Sequence, residues 1–383
     1  MNSKRRYTVI GAGHGGKAMA AHLALMGFEV TLYNRTPANV AAIKMRSGID
    51  LESYPEGPRG FGRLAMVTSL MDKALDGADV VMAVTPSTAH REIAQQAAPH
   101  LRDGQIVVLH PGRTLGAIEF KQILQQSGCS ADVTVAEAET FIYASRSEGP
   151  AQARIFRIKN TVPIAALPSG RTARVIEALS PAYPQFIDGE DVLHTSLNNM
   201  GAIFHPAMTL LNAGRIESTG GRYQFYMEGV TPSVARVLEV LDRERVTVAA
   251  ALGIRAQTGL EWLERAYNAR GETLYAAIQA QEGYSGIMAP PSLNHRYITE
   301  DVPMSLVPIA SLAAHYGVSV RGIDSIIRLA CIVHRTDYWR RGRTLDKLGL
   351  AGLSVSELTR YVHEGCAIPA LDKLPEERRP QAA

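Results

Sequence analysis

The chain of 383 residues is 46% hydrophobic and 20% charged, with a formal net charge of +3. This length allows two domains, each with its own core, and the composition is that of an ordinary globular protein. Because the net charge is small, neither nucleic acid nor an anionic membrane surface is an expected partner.

Nothing in the sequence favours a membrane or a secreted location. No apolar stretch reaches about 18 residues, and the basic start of the chain is not followed by a secretory hydrophobic core. Cys129, Cys331 and Cys366 show neither a disulfide framework nor a metal spacing. We therefore expect a soluble, cytoplasmic protein.

A glycine-rich turn organises the beginning of the chain. A β-branched strand over residues 7–10 precedes the turn, and a helix over 17–26 and a second strand over 28–33 follow it. The turn consists of Gly11, Ala12, Gly13, His14, Gly15 and Gly16, which is a G-x-G-x-x-G spacing. Gly11 permits the bend, Gly13 lets the backbone approach a pyrophosphate, and Gly16 lets the helix pack on the strand. The pattern predicts a dinucleotide site whose phosphates lie at the helix N-terminus.

The end of the second strand indicates which dinucleotide binds. NAD sites usually carry Asp or Glu about 20 residues after the glycines, where the carboxylate binds the ribose 2′-hydroxyl. This chain has Asn34, Arg35 and Thr36 there instead. A carboxylate would repel a 2′-phosphate, whereas these side chains can hydrogen-bond or neutralise it. We predict NADP as the cofactor, with NAD as the alternative if Arg35 is only a solvated loop residue.

The rest of the first half alternates strands with helical segments. Strands are predicted over residues 64–68, 79–85, 105–110 and 133–137, and residues 49–63 read as a Gly/Pro-rich connection. Two short strands, over 153–158 and 161–166, are predicted to extend the same sheet. The pattern predicts an α/β fold with a doubly wound parallel sheet.

The strand over residues 79–85 ends in Thr85 and is followed by Pro86. Ligands of open parallel sheets bind at the carboxyl edge of the strands. We therefore place Thr85 and Pro86 near the nicotinamide half of the cofactor. The alternative is an ordinary turn from a strand to a helix.

The second half is predicted to be helical. Helical periodicity runs through residues 193–211, 232–252, 259–267, 274–281, 304–316 and 323–335. We expect a Rossmann dinucleotide-binding domain over residues 1–187 and an all-helical substrate-binding and catalytic domain over 188–383. The oligomeric state is open, with a homodimer through the helical domain as one arrangement.

Two residues of the helical domain are candidates for the acid/base chemistry that a dinucleotide-binding domain lacks. His205 lies among apolar residues in the stretch NNMGAIFHP, residues 198–206, and a buried structural histidine is the alternative. Asp324 precedes an apolar helical run, where Asp is ordinarily an N-cap or a first-turn carboxylate. If Asp324 lies beside His205, it orients the imidazole and raises its pKa.

Four stretches together resemble the octopine/nopaline dehydrogenase family of opine dehydrogenases. They are the glycine fingerprint, residues 198–206, residues 225–233 (FYMEGVTPS) and residues 295–301 (HRYITED), and the resemblance spans residues 7–332. It implies a Rossmann domain joined to a helical domain. It also implies that an amino acid condenses with a 2-oxo acid such as pyruvate, and that NAD(P)H reduces the imine to a secondary amine dicarboxylate.

The resemblance also implies roles for single residues. The family's catalytic histidine falls on His205 and its carboxylate partner on Asp324, with a protonated His205 polarising the oxo-acid carbonyl. Substrate carboxylates need cationic clamps, for which Arg296 and Arg321 are predicted because arginine binds carboxylates bidentately. Each arginine has a surface or interdomain salt bridge as its alternative. Glu139 is predicted to reach the amino substrate.

His295, Glu300 and Asp301 lie within one short stretch but lack a second compact cluster of ligands, so no metal is expected.

Two other functions remain to be weighed. A reductase of the ketopantoate or glycerol-3-phosphate type has the same domain plan but relies on a catalytic lysine, and no lysine occurs between Lys159 and Lys347. A non-catalytic NADP-binding sensor is the second, and the presence of His205 and Asp324 disfavours it.

Overall fold

The structure, a computed structural model, describes residues 5–53 and 57–365. These residues form two compact units. The first unit comprises described residues up to 112, 116–192 and 362–364, and the second comprises 113–115, 193–361 and 365. The chain passes between them at residues 192 and 193, a few residues after the predicted division, because the last strand and its hydrogen-bonded turn belong to the first unit.

The first unit alternates strands and helices. In chain order these are β1 (Arg6–Ile10), α1 (His14–Leu25), β2 (Glu29–Tyr33), α2 (Ala41–Arg46), β3 (Gly48–Ser53), β4 (Gly60–Arg63), β5 (Met66–Thr68), α3 (Met71–Leu75), β6 (Val80–Ala83), α4 (His90–Ala97), β7 (Ile106–Leu109), α5 (Gly116–Gln126), β8 (Thr134–Ala138), β9 (Tyr143–Gly149), β10 (Gln152–Ile158), β11 (Val162–Leu167), α6 (Thr172–Leu179) and β12 (Phe186–Asp188).

The main sheet has the strand order β12-β11-β8-β7-β6-β1-β2-β5 among the described residues. Its neighbouring strands are parallel except that β11 runs antiparallel to β8. Every residue of β6 and β7 is buried, as expected for strands covered on both faces. The predicted doubly wound sheet is confirmed, and β11 and β12 run antiparallel to its other strands.

A second sheet corrects two sequence predictions. Within the predicted Gly/Pro-rich connection, residues 49–53 and 60–63 belong to strands, because β3 and β4 pair there in antiparallel fashion. Residues 153–158 do not extend the main sheet, because β10 joins β3 and β9. Close packing, rather than a loop, requires glycine at position 62, because a Cβ on Gly62 would lie 2.7 Å from Ala21 O of α1. Glycine here permits a strand to cross close over a helix.

The buried Lys17 ties this second sheet to α1. Its ammonium donates to Ser147 Oγ and to Gly149 O, both at 2.9 Å, at the end of β9. Burial lowers the pKa of Lys17. The contact fixes the small sheet beside the first turn of α1, which carries the glycine fingerprint.

The elements that follow are helical. They are α7 (Val192–Leu197), α8 (Met200–Leu211), α9 (Ala213–Thr219), α10 (Pro232–Ala251), α11 (Gly259–Tyr267), α12 (Leu274–Gln279), α13 (Arg296–Thr299), a π-helical turn (Val302–Leu306), α14 (Val307–His315), α15 (Arg321–His334), α16 (Tyr338–Arg341) and α17 (Val355–Glu364). Within the residues that the structure describes, no helix is both long enough and apolar enough to cross a membrane.

The predicted helix over residues 193–211 is broken at its middle. Asn198 Oδ1 accepts the backbone N–H of Gln257 at 2.8 Å, and the buried Arg245 donates to Leu197 O. Arg245 is itself held by Asp242 on the same helix, at 2.6 Å. Polar groups that bond outside the helix compete with its own ladder, so α7 ends and α8 begins afresh at Met200.

Candidate active site

The glycine turn of the first unit is built as the fingerprint requires. Gly11 has φ +112°, a region that favours glycine, and a Cβ there would overlap Val84 O. A Cβ on Gly16 would overlap Gly11 O, and one on Gly15 would lie 2.6 Å from the ring of Phe141. Gly13 differs, because nothing lies within 4 Å of its Cβ position. The protein's own packing requires Gly11 and Gly16, whereas Gly13 faces open space at the N-terminus of α1.

The other residues of the turn are held by the protein. Ala12 is buried, and His14 Nδ1 accepts the backbone N–H of Ser147 at 2.8 Å. The turn is thus fixed from both sides before any ligand binds, which favours binding of a dinucleotide by a preformed cradle.

Thr85 follows β6 at the carboxyl edge of the main sheet. Its Oγ1 is buried and has no hydrogen-bond partner among the described residues. Pro86 is exposed next to it. A buried hydroxyl without a partner is uncommon in a folded protein, so it fits a place where a ligand supplies the partner.

The end of β2 carries no carboxylate. Asn34 Oδ1 accepts the backbone N–H of Thr36 at 3.0 Å, which shapes the turn. Arg35 is 66% exposed and ion-pairs with Glu92 of α4, which is itself 41% exposed. The guanidinium is therefore available at the surface, but a carboxylate lies beside it.

His205 lies on α8, and the residues around it explain its local sequence. Asn199 precedes the helix and donates through Nδ2 to Ser305 Oγ at 2.9 Å. A Cβ on Gly201, one turn before His205 on the same face, would lie 2.5 Å from Nη1 of Arg113. The glycine in the stretch over residues 198–206 therefore leaves room for the guanidinium of Arg113 next to the histidine.

The carboxylate that contacts His205 is Asp301. His205 Nδ1 lies 2.8 Å from Asp301 Oδ2, and Asp301 is fully buried. The prediction that Asp324 pairs with His205 is wrong. Asp324 is a first-turn residue of α15, where burial raises its pKa and Arg328 opposes that shift.

Arg113 compensates the charge of Asp301. Its Nη1 lies 3.1 Å from Asp301 Oδ1, and its Nε lies 3.3 Å from Glu300 Oε1. Although burial opposes its charge, Asp301 and Glu300 hold the pKa of Arg113 above its ordinary value. Two adjacent carboxylates thus share one buried guanidinium.

Aromatic rings fix the plane of the imidazole. Tyr297 stacks on His205, with ring centroids 4.1 Å apart and planes 21° apart, and Phe225 stacks on the far side of Tyr297 at 5.2 Å. The stack and the Asp301 bond together set the orientation of the ring. With Nδ1 turned to Asp301, Nε2 has no hydrogen-bond partner in the described part of the chain, and the side chain is 16% exposed.

Burial lowers the pKa of His205, against the effect of Asp301, which raises it; Arg113 and Arg296 add to the lowering. This direction favours the neutral imidazole, whose Nε2 can then act as a base.

The structure treats the three predicted substrate-binding residues differently. Arg296 is 53% exposed and lies 3.8 Å from Glu300 Oε2, one helical turn further on. Arg321 is exposed at the start of α15. Glu139 is buried in the first unit, directly after β8. Arg296 therefore lies at the His205 cluster. In the described ranges, no group of three His, Cys, Asp or Glu residues could hold a metal.

Sequence reasoning missed Asp301 as the partner, and it missed Arg113 altogether. Glu300 and Asp301 were placed in the family-like stretch over residues 295–301 and rejected as metal ligands, although an acidic pair directly before an apolar stretch indicates a buried charge that needs a counterion. The sequence around Arg113 does not indicate a buried ion pair, because Arg113 lies in the turn that follows the strand over residues 105–110.

The chain is similar to known proteins over most of its length. Residues 188–334 match the family model described as NAD/NADP octopine/nopaline dehydrogenase, alpha-helical domain, and residues 6–113 match the NAD-dependent glycerol-3-phosphate dehydrogenase N-terminus. The chain is 38% identical to an opine dehydrogenase of Arthrobacter sp. (strain 1C), over 94% of this chain and 100% of that protein.

Solved structures show the same fold. A structure of octopine dehydrogenase with NADH and L-arginine superposes with a TM-score of 0.77 at 20% identity, covering 95% of this chain and 99% of the other. A structure of yersinopine dehydrogenase with NADP⁺ superposes with a TM-score of 0.73 at 14% identity, covering 95% and 99%.

Two glycine variants should separate packing from ligand binding. Gly16→Ala should destabilise the protein by about 1–3 kcal/mol, because its methyl group overlaps backbone. Gly13→Val should leave the melting temperature unchanged and abolish dinucleotide binding, because its side chain enters the space that the pyrophosphate needs. Thermal melts and cofactor titration measure both effects. A Gly13→Val protein that binds cofactor normally would contradict the assignment.

The pKa of His205 should move in opposite directions in two further variants. Asp301→Asn removes the charge that raises this pKa, so the value should fall, whereas Arg296→Gln removes a charge that lowers it, so the value should rise. NMR titration of the imidazole, assigned by comparison with His205→Gln, measures both. Arg270→Gln, whose arginine pairs with Glu264 elsewhere on the surface, is the matched control and should leave the titration unchanged.

Proposed function

The chain belongs to the octopine/nopaline dehydrogenase family, and on that basis we propose that it catalyses the reductive condensation of an amino acid with a 2-oxo acid. It is an NAD(P)H-dependent oxidoreductase acting on CH–NH bonds, and its product is a secondary amine that carries two carboxylates. The observation that carries the proposal within this chain is the buried His205–Asp301 pair at 2.8 Å in the helical unit. It supplies the acid/base group that a dinucleotide-binding domain lacks.

The reaction needs one group that first takes a proton and later returns it. The amine must lose a proton before its nitrogen attacks the carbonyl carbon and forms the C–N bond. The resulting carbinolamine must then gain a proton on its hydroxyl group, so that water leaves and the C=N bond forms. Nε2 of a neutral His205 accepts the first proton, and the imidazolium donates the second.

Asp301 makes this cycle possible by orienting His205 and stabilising its charged form. The carboxylate accepts a hydrogen bond from Nδ1–H, which fixes the tautomer that leaves Nε2 basic, and its negative charge stabilises the imidazolium when it forms. The bound cofactor supplies the hydride that reduces the imine carbon. The glycine turn and Thr85 are the residues that would hold it.

We further propose that Arg296 binds a substrate carboxylate. Its guanidinium is exposed, acts on His205 and is only loosely paired with Glu300, at 3.8 Å. A planar guanidinium binds a carboxylate with two parallel hydrogen bonds, so a 2-oxo acid held there would present its carbonyl near the histidine. Arg321 and Glu139 are proposed contacts for the remaining carboxylate and for the amino group.

We propose NADP(H) as the preferred cofactor. The support is the end of β2, where Asn34, Arg35 and Thr36 stand in place of a carboxylate, and the exposure of Arg35. Glu92 holds Arg35 at rest, and a 2′-phosphate would compete with it for the guanidinium.

The assay for the proposed function follows NADPH oxidation at about 340 nm with a 2-oxo acid such as pyruvate and a panel of amino acids, each also tested alone. Oxidation only with both substrates supports reductive condensation. Oxidation with the oxo acid alone would favour a simple 2-oxo acid reductase of the ketopantoate type. Cofactor binding without turnover on any pair would favour a sensor.

In the same assay, His205→Ala should reduce kcat by about 10²-fold or more and leave the cofactor dissociation constant nearly unchanged, since a general acid/base is lost. Asp324→Asn is the matched control, because Asp324 does not contact His205, and it should retain most of the activity. Equal turnover in His205→Ala and the unchanged protein would refute the assignment.

A second pair of variants tests the cofactor preference. Arg35→Ala should raise the KM for NADPH roughly 10-fold and leave the KM for NADH unchanged, because one charge-assisted hydrogen bond to the 2′-phosphate is lost. Glu92→Gln releases Arg35 from its ion pair, so the KM for NADPH should fall. If both variants change NADPH and NADH alike, Arg35 does not read the 2′-phosphate.

A further inference from the structure

Arg113 follows β7 in the sequence but belongs to the helical unit. Its backbone has φ +62°, and the two residues after it are held by helical-unit groups. Thr114 N donates to Met304 O at 3.2 Å, Leu115 N donates to Ser196 Oγ at 2.8 Å, and Arg343 Nη1 donates to Thr114 O at 3.0 Å. The backbone that carries Arg113 is thus anchored independently of its guanidinium.

The guanidinium lies against three oxygen atoms. It forms an ion pair with Asp301 Oδ1 at 3.1 Å, and it donates hydrogen bonds to Glu300 Oε1 at 3.3 Å and to Asn199 Oδ1 at 3.5 Å, directly before α8. Arg113 is 7% exposed and Asp301 is fully buried. The contacts span the segment that carries Asp301 and the helix that carries His205.

We propose that Arg113 is a positioning residue for the reaction, which holds the Asp301 carboxylate in the rotation that orients His205 and acts on the reacting atoms only through this pair. The inference rests on the proposed function of His205 as the proton carrier. A carboxylate has two oxygens, and here one faces His205 while the other faces Arg113. Without the guanidinium, Asp301 is free to turn about its Cβ–Cγ bond.

Among the charged groups near His205, Arg113 is the one that can hold the Asp301 carboxylate in place. Within the described residues, the charged groups that act on His205 are Asp301, Arg113 and Arg296. The carboxylates of the helices packed on α8 are used elsewhere: Asp242 pairs with Arg245 at 2.6 Å, and Glu244 accepts the backbone N–H groups of Gly322 and Ile323 at 2.8 and 2.9 Å. Asp324 lies beside Arg328.

Arg113 also acts on the proton affinity of the ring. Its positive charge opposes protonation of His205, whereas Asp301 favours it. The buried arginine therefore holds the carboxylate in place and at the same time limits its electrostatic effect. Loss of the guanidinium should disturb the tautomer and raise the pKa of His205 together, a pair of changes that a purely structural arginine would not produce.

The test uses the full chain and three variants. Arg113→Lys keeps the charge but not the planar fork. The double variant Arg113→Met/Glu300→Gln removes one charge of each sign, which avoids leaving both carboxylates uncompensated in the interior. Arg343→Lys is the matched control, because Arg343 is 1% exposed and holds the same segment by a backbone oxygen. The charged groups that act on His205 are Asp301, Arg113 and Arg296.

Two readouts are compared. Imidazole nitrogen NMR reports the tautomer and titration of His205 without any substrate, and steady-state kinetics report kcat, KM and the acidic limb of the kcat/KM profile. In the double variant we expect a mixture of tautomers, an acidic limb moved to higher pH, and a loss of about 10- to 100-fold in kcat with little change in KM. Arg113→Lys should lie between the double variant and the unchanged protein.

The proposal is overturned if the double variant keeps the tautomer, titration and kcat of the unchanged protein while only its melting temperature falls. It is equally overturned if Arg343→Lys shifts the titration as strongly as the double variant does. If the unchanged protein condenses no amino acid with any oxo acid, the proposed function fails, whereas the NMR comparison still decides whether Arg113 positions the His205–Asp301 pair.

Discussion

The helical unit's site depends on one constraint, which is that the carboxylate of Asp301 is removed completely from water. The desolvation free energy of an isolated buried charge exceeds the stability of a folded domain, unless partners replace the lost hydration. His205 and Arg113 supply those partners. The absence of a side chain at Gly201 leaves room for the guanidinium of Arg113, and the turn at Arg113, with φ +62°, carries it.

The same burial explains why a histidine can carry a proton in both directions here. Desolvation alone would leave the ring a weak base, and Asp301 alone would keep it charged at rest. The net effect lowers the pKa of His205 and so favours the neutral ring, while the cation, when it forms, has a counterion at 2.8 Å. A carrier of this kind suits a condensation that removes a proton from nitrogen and later returns one to oxygen.

The Rossmann unit was largely predictable from the sequence, because its determinants are local. The pattern of buried strands and the glycine spacing are determined within about 30 residues. In the structure, Gly11, Gly13 and Gly16 have environments that differ as the fingerprint implies. The second sheet was not predicted, because β3 and β10 are far apart in sequence and meet only in the folded chain. Gly60 and Gly62 looked like loop residues, although the close crossing over α1 requires a missing side chain at Gly62.

The helical site was predictable only in part, for a different physical reason. Glu300, Asp301 and Asp324 each lie next to an apolar helical segment, so local sequence cannot rank them as partners of His205. What distinguishes Asp301 is complete burial, and burial of a carboxylate is tolerable only where a cation reaches it. That cation stands 187 residues before Glu300, to which it also bonds, in a turn whose neighbours on both sides belong to the other unit. The choice of Asp301 as the partner of His205 therefore depends on Arg113, which is distant in sequence. Only a structure that places Asp301 beside Arg113 reveals the pairing.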